Sequence, residues 1–107
     1  MGKGVNEVSF EELEQLVAEW HDDRNLILGS SDAAQMHKLL EEVHELDQDV
    51  HDGFDLRDEL GDCLVVLINI ATRNGFTLKQ ALEVSYNKIK DRKGQMRNGI
   101  FVKEEDL

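Results

Sequence analysis

Across residues 63–71 (Cys-Leu-Val-Val-Leu-Ile-Asn-Ile-Ala), Asn69 is the one polar side chain. The run is far shorter than the roughly 20 apolar residues a membrane-spanning helix needs, so protein must cover it. Read as a helix it is apolar on nearly every side, and such a helix requires neighbours all round. The 107 residues supply one domain and one modest core. They include no proline, so long helices can run unbroken. Residues 1–107 therefore read as a single all-α domain, four-helix bundle-like and without strands. Four short helices cannot surround the central one. We expect that helix to meet another subunit, in a homodimer or a dimer of dimers.

The flanking segments carry the remaining helices. Ser9 with Glu12 three residues on is a capping-box pattern, followed by Phe10, Leu13, Leu16, Val17 and Trp20 at helical spacing. Residues 25–31 form a loop. A second helix starts after Asp32, with Gln35 in the capping-box position and the stripe Met36, Leu39, Leu40, Val43, Leu46 and Val50. His51-Asp52-Gly53 reads as a turn and Asp55 as the next N-cap. The third helix covers about residues 56–74, closed by Gly75. Thr77 with Gln80 opens a fourth helix, with stripe Leu78, Ala81, Leu82, Ser85 and Ile89, ending near residues 92–94. The tail, residues 98–107, is polar apart from Ile100, Phe101 and Val102.

Charge narrows the functional classes. Twelve Lys and Arg stand against 23 Asp and Glu, a net charge of −11. That surface repels duplex nucleic acid, with no Lys/Arg patch to offset it, and we expect no membrane partner. The N-terminal residues show no signal-peptide pattern. The lone Cys63 sits in the apolar run and reads as a buried, inert thiol. Both features point to a cytoplasmic protein. A free nucleotide arriving with Mg²⁺ stays compatible with the acidity, because the metal changes the local electrostatics.

The acids are patterned. On the second helix Glu42 and Glu45 lie roughly 60° apart, one turn up the same face; on the third, Glu59 and Asp62 share that offset. Each helix thus presents a carboxylate pair able to converge on one cation, and antiparallel packing at roughly 8–10 Å joins the pairs. The plain alternative is a solvated acidic face. Against it, Glu41, Glu42, Glu45 and Asp49 crowd like charges onto one arc, which is unfavourable without a counterion. The face of Glu59 and Asp62 also runs on into Val66 and Ile70, and carboxylates at the edge of a core need a partner. Oxygen ligands without Cys or a second His suit Mg²⁺, with Mn²⁺ the alternative.

The pattern E-E-x-x-E, Glu41-Glu42-Val43-His44-Glu45, followed by E-x-x-D, Glu59-Leu60-Gly61-Asp62, resembles the MazG-like all-α nucleotide pyrophosphohydrolases. The resemblance extends through Asn87-Lys88-Ile89-Lys90-Asp91-Arg92 and covers about residues 38–99. It implies cleavage of a nucleoside triphosphate, a dNTP in particular, to the monophosphate and pyrophosphate. It also implies that Glu42, Glu45, Glu59 and Asp62 ligate the metal. Glu41 then binds a second ion or helps deprotonate the attacking water; otherwise it is an exposed helix residue. Lys88 and Arg92, at i and i+4, share a helix face and hold the β- and γ-phosphates, or else simply offset a helix C-terminus.

Lys38 contacts phosphate or pairs with the glutamates. Asn87 bonds ribose or phosphate. Trp20 stacks on a base or, the stronger reading, packs in the core. Base selection falls to the first helix. A hydrolase narrowed to one nucleotide is a close variant. A non-catalytic helical interaction module is the alternative from another class; it has no need of cations opposite an acid cluster. A di-metal redox bundle would need a second E-x-x-H beside Glu41-x-x-His44.

Overall fold

The computed structural model of the chain describes residues 7–107. Four helices follow in order: α1 (Phe10–Asp23), α2 (Asp32–Asp52), α3 (Arg57–Arg73) and α4 (Leu78–Ile89). A hairpin of β1 (Gly94–Arg97) and β2 (Ile100–Lys103) and a short 3₁₀ turn (Glu104–Asp106) complete the chain. Among the described residues no helix is long and apolar enough to cross a membrane.

The caps follow local chemistry, with adjustments. Ser9 Oγ accepts the Glu12 N–H at 3.1 Å and starts α1. Thr77 and Gln80 form a reciprocal capping box on α4. The N-cap of α2 is Ser31, whose Oγ accepts from Ala34 N, and not Asp32. Asp32 instead opens the helix and takes Arg73 Nε at 3.1 Å, so it ties α2 to the end of α3. Helix α2 runs on through His51 and Asp52, and Gly53 closes it at φ 73°, a conformation glycine adopts without penalty. Leu56 takes the N-cap position of α3, while Asp55 Oδ1 accepts the Arg57 N–H from one residue further out.

Two expectations about the C-terminal segment fail. Helix α4 stops at Ile89, short of residues 92–94. The polar tail also contains a strand, β2, paired with β1 just before it, where no strand is expected. Asn98 and Gly99 both have positive φ, 54° and 82°, the backbone of a two-residue hairpin turn. They pair Arg97 with Ile100 and Met96 with Phe101. Gly94 is obligatory, since a side chain there would strike the Phe101 ring and the Val102 carbonyl.

Helix α3 is the core. Cys63, Val66, Ile68 and Ala71 are its buried apolar residues, packed chiefly against α2 and then α1 and α4. Asn69, fully buried, donates through Nδ2 to the Leu26 carbonyl at 2.9 Å and to His21 Nδ1 at 3.2 Å. His21, also buried, uses Nε2 to reach the Val65 carbonyl at 2.9 Å. That pairing makes Nε2 the protonated nitrogen and Nδ1 the acceptor. One polar side chain in an apolar helix thereby fastens α1 and its following loop. A second fastening is Glu14 of α1, buried, whose carboxylate accepts the N–H groups of Leu78 and Lys79 at the start of α4.

Much apolar surface stays uncovered. Leu13, Leu16 and Trp20 on α1, and Met36, Leu40 and Val43 on α2, are exposed, as are Leu82, Tyr86 and Ile89 on α4. Helix α3 contributes Leu60 and Leu64. The chain is 50 Å long with a radius of gyration of 16.7 Å, against about 13 Å for a compact chain of this length. Helix α3, expected to meet another subunit, holds the buried apolar residues of the described chain and leaves Leu60 and Leu64 exposed.

Candidate metal and nucleotide site

Helices α2 and α3 lie antiparallel and bring their acids to one seam. Carboxylate oxygens of Glu42, Glu45 and Glu59 lie within 4.8 Å of one another, and so do those of Asp58, Glu59 and Asp62. Glu59 belongs to both sets, so the seam offers two adjacent cation positions that share one carboxylate. Sequence reasoning named four of these five residues and missed Asp58. The signal was present, since Asp58 lies four residues before Asp62 and one helical turn brings such positions together.

The seam is strained by charge. Oε2 of Glu42 and Oε2 of Glu59 are buried and accept no hydrogen bond among the described residues. Burial, then hydrogen bonding with Glu42 and Glu45, pushes the Glu59 carboxyl up to about 7. Asp62 is raised too, first by burial, then by Asp58, Glu42 and Glu45, with Lys38 acting against them. Buried carboxylate oxygens without donors fit a hard divalent cation, and an all-oxygen set suits Mg²⁺ or Mn²⁺. Cys63 lies beside the cluster; burial first, then Glu42, Glu59 and Asp62, raise its thiol, which keeps it protonated and inert.

The other predicted residues divide. Lys38 Nζ sits 3.1 Å from Glu42 and 3.5 Å from Glu41, so it pairs with the glutamates, and that pairing raises its ammonium pKa. Glu41 is exposed on the solvent side of that pair. Lys88 and Asn87 are exposed on α4. Arg92 lies beyond the end of α4, its N–H bonded to the Ile89 carbonyl, so Lys88 and Arg92 do not share a helix face. Neither cation is among the charges acting on Glu59 or Asp62.

Trp20 is 45% exposed, which overturns the core reading. The Arg24 guanidinium lies 4.3 Å over its ring centroid, a cation–π contact. A largely apolar groove of about 360 Å³ lies between α1 and α3, lined by Phe10, Leu13, Val17 and Leu64 and also by Asp58 and Asp62. No spacing in the sequence marks that groove, because it depends on how α1 crosses α3.

Comparison with known proteins identifies the family. The family model for the MazG nucleotide pyrophosphohydrolase domain matches residues 30–96, which takes in α2, α3 and α4. An uncharacterized 18.2 kDa protein in the rep-hol intergenic region of Haemophilus phage HP1 (strain HP1c1) is 37% identical over 68 residues. That similarity covers 59% of this chain and 42% of the phage protein, so the chain matches less than half of that relative's length. No solved structure matches the chain. The chain belongs to the MazG nucleotide pyrophosphohydrolase family.

Proposed function

We propose that residues 1–107 form one domain that hydrolyses nucleoside triphosphates, dNTPs among them, to the monophosphate and pyrophosphate with Mg²⁺ or Mn²⁺. The observation that carries the proposal is the doubled acid set sharing Glu59, with its two donorless buried oxygens, in a chain of this family. Glu42, Glu45, Glu59 and Asp62, with Asp58, hold the metal. When bound, a divalent ion neutralises phosphate charge and makes water a better nucleophile near neutral pH.

The chain's own groups supply the rest. Glu41, exposed and next to Glu42, accepts a proton from the attacking water. Lys38 neutralises Glu42 and meets the phosphate chain at the seam. Lys88 and Arg92 bind the β- and γ-phosphates and stabilise charge on the departing pyrophosphate. Asn87 bonds ribose or phosphate. Base selection is assigned to α1, through the groove at Phe10 and Leu13 or through the exposed indole of Trp20. The uncovered apolar faces support a homodimer or a dimer of dimers, since burying them is worth about 25 cal/mol per Å². A non-catalytic module accounts for those faces but not for the donorless acids.

The test is a panel of NTPs and dNTPs with Mg²⁺, with Mn²⁺ and with EDTA, products resolved by chromatography. Monophosphate and pyrophosphate are expected, and only with metal. Diphosphate and orthophosphate as main products would sink the cleavage site; no turnover of any nucleotide would sink the activity.

A further inference from the structure

Three groups tie α1 and the loop after it to α3: the His21 ring, the Asn69 carboxamide and the Leu26 carbonyl. His21 is 3% exposed and Asn69 0%. With the ring neutral, Nε2–H donates to the Val65 carbonyl and Nδ1 accepts from Asn69 Nδ2. The second proton of Nδ2 goes to the Leu26 carbonyl at 2.9 Å. Each of these N–H donors is used, and one acceptor is left over. Asn69 Oδ1 is buried without a hydrogen-bond partner among the described residues.

An imidazole can take one more proton, and here only Nδ1 has room for it. The new N–H would face the Asn69 amide N–H, donor against donor. A half-turn of the carboxamide exchanges Oδ1 and Nδ2, which are nearly the same size. Oδ1 then accepts from the imidazolium in a charge-assisted bond and is no longer an orphan. The same turn carries Nδ2 away from Leu26 and sets oxygen against oxygen there. A buried cation facing N–H protons costs more than a carboxamide N–H without an acceptor, so the charge decides which way the amide points. The Leu26 carbonyl is part-buried on a loop and can turn to water.

The elements around the ring bring few charges. Asp22, Asp23 and Arg24 follow His21 and are exposed. Arg24 lies over Trp20 and donates to its carbonyl. On α3, Asp62 stands one turn before Val65 and Arg73 one turn after Asn69; Arg73 serves the Ile27 carbonyl and Asp32 of α2. Among the described residues none of these forms an ion pair with His21. A proton on the ring therefore finds its partner in Asn69 Oδ1.

We propose that His21 and Asn69 form a proton-operated latch. With the ring neutral, Asn69 holds Leu26 to α3; with the ring protonated, Asn69 turns to His21 and releases Leu26. The release is local, because Arg73 still holds the Ile27 carbonyl and Gln35 Nε2 still donates to Ser30 Oγ at 3.0 Å. The released segment joins α1 to α2, so α1, one wall of the α1–α3 groove, gains freedom from the helix that carries Glu42 and Glu45. The latch rests on these contacts and on no reading of the activity.

NMR of the full-length ¹⁵N-labelled chain tests it between about pH 8 and pH 5, the span in which imidazoles change charge. Long-range ring correlations report the protonation of His21. Protection of the Leu26 N–H, which donates to the His21 carbonyl at 2.9 Å, reports the loop. The Phe76 N–H, bonded to the Ala71 carbonyl, is the control. As the ring gains its proton, the Leu26 protection factor is expected to fall about tenfold while that of Phe76 holds. Glu59 also takes up a proton on acidification, so the wild type is compared with His21→Gln, whose Leu26 protection is expected to stay level. A ring that protonates while Leu26 stays protected overturns the latch, and so does a ring that stays neutral until the whole chain unfolds. An equal fall in His21→Gln overturns it too; the wild-type measurement decides alone where that variant does not fold.

Discussion

Glu42 and Glu59 meet across the α2–α3 seam, each with one buried carboxylate oxygen that accepts no hydrogen bond. Two ionised carboxylates so placed repel each other unless a cation lies between them or one is protonated. On the proposed reading, a divalent ion binds this arrangement and not the unfolded chain. Mg²⁺ at a hundred times its Kd therefore adds about 2.7 kcal/mol of stability, a rise of several degrees in Tm. Thermal unfolding in Mg²⁺ and in EDTA measures it, and Glu59→Gln, which alters both cation positions, removes most of the difference. An unchanged Tm with added Mg²⁺ or Mn²⁺ would remove the metal site.

The same pair sets a pH dependence. Glu59 rises from 4.5 to about 7 in the folded chain. Between those values the folded state holds a proton that the unfolded state has lost. Metal-free stability from this group is therefore fully present below 4.5 and lost as pH rises through 7. Metal competes with that proton, so Mg²⁺ affinity rises over the same interval. The gap in Tm between Mg²⁺ and EDTA should widen from pH 5 to pH 8. A gap that narrows, or one equally wide in Glu59→Gln, would contradict the assignment.

Glu14 is predicted to be the most costly acid to remove outside the seam. Its carboxylate is buried and accepts two backbone N–H groups at the positive end of α4. Hydrogen bonds to a charged group are worth about 1.5–3 kcal/mol each, and the helix dipole adds to them. Glu14→Ala should cost about 2–4 kcal/mol in urea unfolding. Glu14→Gln should cost less, because the amide oxygen still accepts. Helix α4 carries Asn87 and Lys88, so the same variant should raise KM for nucleotide more than it lowers kcat. A loss below about 0.5 kcal/mol, the level of an ordinary surface change, would show that Glu14 does not hold α4.

The sequence announced these parts unequally. Ser9, Thr77 and Gly75 sit where local backbone chemistry decides, so the helix borders there were readable. The acid pairs were readable because one helical turn fixes which residues share a face. Glu14 was not, because its partners are 64 and 65 residues away. The hairpin was missed although Asn98-Gly99 is a strong turn signal; its strands are only four residues each, too short for alternation to mark them against a polar tail. Arg92 was set on the α4 face because i and i+4 spacing was extended past Ile89. Trp20 was placed in the core by its spacing, yet an α1 stripe this wide exceeds what α3 alone can cover.

Asn69 gives the last prediction. It is the lone polar residue in the apolar run, and its Nδ2 joins His21 of α1 and Leu26 of the following loop to α3. Its Oδ1 is buried without a hydrogen-bond partner among the described residues, so the side chain already carries a cost that these two bonds offset. Asn69→Leu keeps the branched skeleton, is bulkier and has no donor. It leaves the buried His21 Nδ1 and the part-buried Leu26 carbonyl unpaired, at about 1–3 kcal/mol for each lost partner. We expect a net loss of about 2–4 kcal/mol, part of it recovered by relief of the orphaned oxygen. The double variant His21→Leu/Asn69→Leu should cost less than the sum of the single changes, because the two residues satisfy each other. Strict additivity would mean that the hydrogen bond between them contributes nothing. Since α1 forms one wall of the groove that Asp58 and Asp62 also line, Asn69→Leu should also change the relative kcat/KM among bases. An equal loss for every nucleotide would place base selection somewhere other than that groove.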